Sequence, residues 1–405
     1  MQRRNFLKHL SVFPTLSLIE SLRANEDELK RNGKSAILLW MGGGPSTMDI
    51  WDLKPGAPTG GPFRPINTSG DVQICEHMPL MAKQMHNAAI IRSMSTREAD
   101  HMRGRYYMHT GYVPNPNMTH PSYGSVISHQ LQRPEVSIPK FISVGGGSMG
   151  AGFLGAKYSP FVVNSDGRIR NLDMKVDQRF YQRAYALDAI ESGFINQRRG
   201  SAAKEHQAIL KEAFNVLTSS QMDALKVAGE PENVKERYGN NGFGKGCLMA
   251  RRLVEAGVPF IEVNLGGWDN HQNIHPMLRD TKLPMLDQGM SALFEDLEQR
   301  GLIDDTVVIW MGEFSRTPRI NQNAGRDHWA RSWSVVVGGG GMNGGISIGE
   351  TNSDGTRVET EPHTSQDVMA SVCKALGISL GTTFTSNNGR PMKIANSGKV
   401  IKELF

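Results

Sequence analysis

The chain predicts an α/β fold, a mainly parallel central sheet flanked by helices on both faces. Two patterns carry this expectation. Short apolar runs alternate with stretches of helical spacing, most regularly in the last third of the chain, and nearly every apolar run empties into a Gly-rich or polar loop. The size agrees: 405 residues with 39% hydrophobic and 21% charged content can bury one large core as an ordinary globular protein.

The elements follow in order. The first strand, AILLWM after Ser35, enters a Gly-rich turn and then the polar GPSTMDIWDLKPG. A second strand, AAIIRSM from Ala88, runs into the His/Arg-rich STREADHMRGRYYMHTG, and FISVGGG near Phe141 supplies a third. From about Gln178 to Ala228 a Gly-poor stretch carries apolar residues at helical spacing and is read as helices covering or capping the core. The alternation then sharpens: helix CLMARRLVEAG, strand PFIEVNLGG, helix LPMLDQGMSALFEDLEQRG, strand TVVIWMG, strand SVVVGGGG and helix SQDVMASVCKALGI.

The N-terminus stands apart. In MQRRNFLKHLSVFPTLSLIESLRA the pair Arg3 and Arg4 precedes Phe6, Leu7, Lys8 and a short apolar stretch from Leu10 to Ile19. This resembles a twin-arginine export signal, an address and not part of the fold; the alternative is a plain basic amphipathic start. Residues 1–33 are therefore expected to be signal and linker, and residues 34–405 a single domain with a helical segment at about 178–228. The resemblance implies passage through the twin-arginine export machinery to a periplasmic or secreted location. No other stretch approaches the ~18 apolar residues of a membrane span.

Charge and cysteine content exclude several functions. The net charge is +5, but residues 1–34 hold seven Lys/Arg against four Asp/Glu, which leaves +2 for the remainder and no basic surface for nucleic acid. Cys75, Cys247 and Cys373 are too few and too widely spaced for a disulfide framework or a thiolate zinc site. The Gly-rich runs MGGGPS, SVGGGSMGAG and VVGGGGMNGG lack both phosphate-loop patterns, and no GxSxG elbow is present.

What remains is a set of polar clusters, each placed after a strand. In open α/β sheets ligands sit outside the carboxyl ends of the strands. Asp49 and Asp52 follow the first strand, and His101, Arg103 and Arg105 the second; Asn264, Asp269 and His271 follow PFIEVN, and Glu313 and Arg316 follow TVVIWM. Asp327 and His328 stand just before SVVVGG and could fold back over the same edge. Carboxylates gathered at one edge repel unless a cation lies between them, and carboxylates with imidazoles suit a divalent ion. The candidate metal ligands are Asp49, Asn264, Asp269, His271, Glu313, Asp327 and His328, for zinc, calcium, magnesium or manganese. Arg105 and Arg316 carry the planar fork that suits phosphate or sulfate oxygens. Each of these residues also has a structural explanation, as a turn cap, a loop ion pair or a solvated face.

The motifs MGGGPSTMDIWDLKPG, HMRGRYYMHTG, ARRLVEAGVPFIEVNLGGWDNHQN, MGEFSRTPRINQNAGRDHW and NGRPM together closely resemble an uncharacterised bacterial family, domain of unknown function 1501. That resemblance implies a relation to the alkaline phosphatase and sulfatase superfamily, with divalent metals at the carboxyl edge of the sheet. HMRGRYYMHTGYVP is similar to the sulfatase signature CxPSRxxxLTGRYP, with His101 where the nucleophilic Cys or Ser would stand and Arg105 on the signature's arginine. An ordinary formylglycine sulfatase is thereby disfavoured. NLGGWDNH resembles a phosphatase metal segment, with Asn264 in the place of an acid and Asp269 matching an aspartate; His271 lies two residues beyond it where four are usual. TVVIWMGEF resembles the strand ending in a TADH pair, with Glu313 on the aspartate and Phe314 on the histidine, and His328 resembles a late metal histidine. Gly43 and Gly44 occupy the first metal aspartate's place, which Asp49 could fill only if its loop turns back.

The resemblance implies an alkaline phosphatase-like fold with a helical insertion and a rewired site. The expected function is an exported metal-dependent hydrolase of phosphate or sulfate esters, with His101 as nucleophile or general acid and with Arg105 and Arg316 as anion-binding groups. The alternative is a non-catalytic protein that recognises anionic polysaccharide through Arg103, Arg105, Arg316 and Arg326.

Overall fold

The computed structural model describes residues 33–168, 178–196 and 218–405, together with Gln207 and Phe214. The segment read as an export signal, and most of the predicted helical stretch beyond Asn196, lie outside the described residues.

An eight-stranded sheet organises the chain. Its strands are β1 (Ser35–Trp40), β2 (Ala88–Met94), β3 (Phe141–Val144), β4 (Phe161–Val163), β5 (Phe260–Asn264), β6 (Thr306–Met311), β7 (Trp333–Gly339) and β8 (Ser347–Ile348), in the spatial order β8-β2-β7-β6-β1-β5-β3-β4. Parallel pairs join β1 to β5 and β6, β3 to β4 and β5, and β2 to β8; only β7 runs antiparallel to its neighbours β2 and β6. Every residue of β1, β6 and β7 is buried, as expected of strands covered on both faces.

The longer helices among the described residues are α1 (His101–Thr110), α2 (Tyr123–Gln130), α3 (Gln178–Asn196), α4 (Gly242–Glu255), α5 (Leu283–Gln299) and α6 (Ser365–Ala375). Alternate residues of the strands feed two cores. Ile37, Leu39, Ile261, Val263, Val308 and Trp310 pack against Leu248 of α4 and Leu286, Met290 and Leu293 of α5. Ala36, Leu38, Trp40, Phe260 and Ile309 pack against Met108 of α1, Ile127 of α2 and Met369 and Val372 of α6. Among the described residues no helix is long and apolar enough to cross a membrane. The three cysteines are buried and free.

The reversed strand settles how the last polar cluster reaches the others. Because β7 is antiparallel to β6, pairing Val336 with Trp310 and Gly339 with Val307, its first residues lie at the carboxyl edge of the parallel strands. Asp327 and His328 therefore arrive at that edge directly. A short antiparallel ladder, His328 opposite Arg316 and Trp329 opposite Ser315, ties them to the loop after β6.

Candidate metal centre

Three loops meet where β1, β5 and β6 end, and glycine permits the contact. Gly43 has φ +114, and a Cβ there would lie 2.6 Å from the Asp269 amide nitrogen. Its own N–H donates to Glu313 Oε1 at 2.8 Å, so the loops after β1, β5 and β6 share one point. Helix α1 starts beside them. Asp100 caps it by accepting from Arg103 N–H, and Gly104 lets its first turn lie on Glu313 and Phe314, where a Cβ would approach the Phe314 ring to 3.0 Å.

The side chains converge on Asp269. His101 Nε2 lies 3.3 Å from its Oδ2, while His271 Nε2 at 2.9 Å, His328 Nε2 at 3.4 Å and an Arg316 Nη2 at 2.6 Å face its Oδ1. Ligand atoms of His101, Asp269 and His328 all lie within 4.8 Å of one another. Each ring is anchored through its other nitrogen: His101 Nδ1 donates to Glu313 Oε1 at 2.7 Å, His328 Nδ1 to the Ala99 carbonyl at 2.9 Å, and His271 Nδ1 to Asp327 Oδ1 at 2.7 Å. This outer ring of acceptors is the arrangement that fixes the tautomer of metal-binding histidines.

The tautomers make the arrangement informative. A carbonyl or carboxylate only accepts, so each Nδ1 carries a hydrogen, and a neutral ring then turns the lone pair of Nε2 towards a carboxylate that also only accepts. His271 Nε2 also faces Arg316 Nη1 at 3.4 Å, whereas the Nε2 atoms of His101 and His328 turn towards Asp269 with no donor between, an arrangement that a cation there would satisfy. Consistent with that, the Nε2 atoms of His101 and His328 are buried and find no hydrogen-bond partner. The residues present therefore fit a divalent ion.

Charge follows the same geometry. The Glu313 hydrogen bond raises the His101 pKa, burial works against it, and the charges of Glu313 and Asp269 add to the rise. For Asp269, burial pushes the carboxyl up, but Arg316 and then His101 and His271 outweigh it and hold the pKa below its usual value. The His271 hydrogen bond likewise lowers that of Asp327.

Several expectations are corrected. Asp49 does not turn back to the centre: it is 1% exposed, both its oxygens receive the Arg326 guanidinium at 2.8 and 2.9 Å, and Ser46 and His275 complete its shell. Asn264 points its amide to Ser143 Oγ and the Val144 carbonyl on the neighbouring strand. Glu313 and Asp327 stand behind His101 and His271 and do not meet Asp269 themselves. Arg316 is fully buried, with Nε on the Gly44 carbonyl and Nη2 shared between the Gly43 carbonyl and Asp269, so it cannot clamp an incoming anion. Arg103 pairs with Glu98, and Arg326 with Asp49, which removes two more cations from the proposed polysaccharide surface. Arg105, one turn beyond His101, reaches only the Gly147 carbonyl and meets no carboxylate among the described residues.

Phe314, in the place of a ligand histidine, is fully buried, with its ring centroid 5.0 Å from that of His101 and 4.9 Å from that of His328. Sequence reasoning missed His275, the Ala99 carbonyl and Asn321, which holds Asp327 at 3.2 Å and the His271 carbonyl at 3.1 Å. The turn composition of NQNAG, Asn321 to Gly325, was the available signal for the last of these.

Comparison with known proteins places this geometry in context. The family described as "Protein of unknown function (DUF1501)" matches residues 33–405. No curated protein matches the chain. Among solved structures, a protein in the alkaline phosphatase superfamily from Vibrio parahaemolyticus is similar at 12% identity and TM-score 0.40, covering 91% of this chain and 69% of its own. The PsFucS1 sulfatase from Pseudoalteromonas sp. is similar at 12% identity and TM-score 0.37, covering 91% and 72%. Alkaline phosphatase from the Antarctic bacterium TAB5 gives 11% identity and TM-score 0.38, covering 86% and 98%.

Proposed function

This chain belongs to the DUF1501 family of proteins of unknown function, and from that premise we propose that it is a metal-dependent hydrolase of phosphate or sulfate esters. The single observation behind this is the convergence of three Nδ1-anchored imidazoles on the Asp269 carboxylate. His101, Asp269 and His328 would hold the ion, with His271 as a fourth donor. Imidazole nitrogen favours zinc over calcium and magnesium, which prefer all-oxygen shells, while the Asp269 carboxylate leaves room for manganese. Such an ion supplies Lewis-acid polarisation of an ester oxygen.

The protein's own residues do the remaining work. Glu313, Asp327 and the Ala99 carbonyl hold the three rings with their Nε2 atoms facing inward. Arg105, one turn along the same helix as His101, bonds the Gly147 carbonyl and meets no carboxylate among the described residues, so its charge suits an anionic ester. Phe314, buried beside them, gives His101 and His328 an apolar neighbour. We further propose that the protein is exported through its twin-arginine-like segment, on the strength of Arg3, Arg4, Phe6, Leu7 and Lys8.

Metal analysis of the purified protein, followed by assays on aryl phosphates, phosphodiesters and aryl sulfates with and without chelator, tests the proposal. Bound zinc or manganese, chelator-sensitive hydrolysis of one class, and loss of both in Asp269→Ala are expected. Absence of metal uptake, or anion binding that survives chelation without turnover, would point to a non-catalytic binding protein.

A further inference from the structure

We infer that the centre takes one divalent ion and that Arg316 is its fixed second cation, a positioning residue whose guanidinium supplies from within the chain the further positive charge that a two-metal hydrolase takes from another ion. This rests on the metal reading above. Two-metal sites place their ions about 3.5–4 Å apart and need carboxylate oxygens for both. Those oxygens are already committed. Asp269 Oδ1 holds an Arg316 Nη2 at 2.6 Å, and Glu313 Oε1 is shared between His101 Nδ1 and the Gly43 amide. Asp327 Oδ1 is shared between His271 Nδ1 and Asn321, and Asp49 is spent on Arg326. Glu313 Oε2 and Asp327 Oδ2 are left over, and among the described residues no second group of three ligand atoms gathers beside that of His101, Asp269 and His328.

Charge balance leads to the same count. Of the groups that contact Asp269 or anchor its rings, Asp269, Glu313 and Asp327 are three carboxylates against the one guanidinium of Arg316, which leaves two negative charges; Arg105 bonds the Gly147 carbonyl and is not among them. One divalent ion cancels them; a second would leave two positive charges in a half-buried pocket, a costly state. The guanidinium is also placed so that it cannot withdraw. The carbonyls of Gly43 and Gly44 receive it, both glycines lie at positive φ, and the arginine side chain is wholly buried. It thus stays on Asp269 Oδ1 whether or not substrate is present.

The test needs no substrate. Intact protein is stripped with chelator, reloaded with excess Zn2+ or Mn2+, desalted, and analysed for metal by mass spectrometry, with the Mn2+ form examined by electron paramagnetic resonance. One ion per chain and the hyperfine pattern of an isolated Mn2+ are expected. Two ions per chain, or an exchange-coupled Mn2+ signal, would overturn the inference while leaving the hydrolase proposal standing; no ion at all would overturn both. Arg316→Gln, where it folds, should admit a second equivalent, and a variant that stays at one ion refutes the role given to Arg316. If that variant does not fold, the wild-type count and spectrum decide the stoichiometry.

Discussion

Glu313→Gln separates holding a ligand from holding the fold. The glutamate accepts from His101 Nδ1 at 2.7 Å and from the Gly43 amide at 2.8 Å through one oxygen, and it is buried. Glutamine keeps an oxygen for both donors and removes the charge that makes the His101 ring a better donor to an ion. Losing such an outer partner weakens metal affinity by about 10–100-fold. That range corresponds to about 1.4–2.7 kcal/mol. At saturating wild-type metal the loss passes into the stability of the loaded protein, because an ion that binds only the native state stabilises it in proportion to the logarithm of its excess over Kd. With an unfolding entropy of about 2 cal/mol/K per residue, a chain of 405 residues should melt about 1.7–3.3 °C lower when loaded. The assay is competition against a chromogenic chelator, with melting curves recorded in metal and in excess EDTA. The drop should appear in metal and largely vanish in EDTA. Affinity within about twofold of wild type, or an equal drop in both conditions, would show that Glu313 only props the Gly43 turn.

The remaining predictions concern the scaffold. Asp49→Asn should cost about 3–5 kcal/mol, because it strands the buried Arg326 charge, yet leave metal stoichiometry unchanged in whatever protein folds. Burial pushes the Asp49 carboxyl up, but the His275 hydrogen bond and Arg326 hold it below its usual value, so its stabilisation is present above the unfolded carboxylate range and lost as pH falls through the native value. Urea titrations from pH 5 downward should show a steeper acid loss in wild type than in Asp49→Asn; parallel curves would exclude this group. Burial pushes the Cys75 and Cys373 thiols up to about 12 and Cys247 higher still, so a thiol reagent should label none of them before unfolding and all three in denaturant. Gly124→Ala places a Cβ 2.6 Å from the Phe141 and Phe260 rings, and an overpacking cost of about 1–3 kcal/mol should exceed the helix-propensity gain of about 1. A rise in the urea midpoint would contradict it.

The architecture was legible because the strands that matter are apolar on both faces. β1, β6 and β7 read as unbroken hydrophobic runs, and α4 and α5 as amphipathic partners, so local pattern and tertiary role coincide. The two-residue β8 and the three-residue β4 were not, since runs that short carry no period. Placing the polar clusters after strands brought His101, Asp269, His271 and His328 to one edge; it did not say which atoms would meet. Asp49 and Asn264 have ligand chemistry, but a 3₁₀ turn sends one to Arg326 and the end of β5 aims the other along the sheet. Such choices depend on partners distant in sequence, Arg326 for Asp49 and Ser143 for Asn264. The antiparallel direction of β7 was equally hidden, because an apolar run looks the same in either direction.

The Nε2 donors arrive from the start of α1, the loop after β5 and the approach to β7, and all three are oriented by bonds within the protein. A growing chain has no complete binding site until His328 has been synthesised and the sheet around β1, β5, β6 and β7 has paired, contacts that form late because they close long loops. Unlike a zinc finger, whose ion drives the folding of its chain, this protein should acquire metal after its topology is in place. On the metal reading proposed above, the stripped protein is a folded species awaiting its ion, and metal content would be a tally of finished molecules in a population of chains.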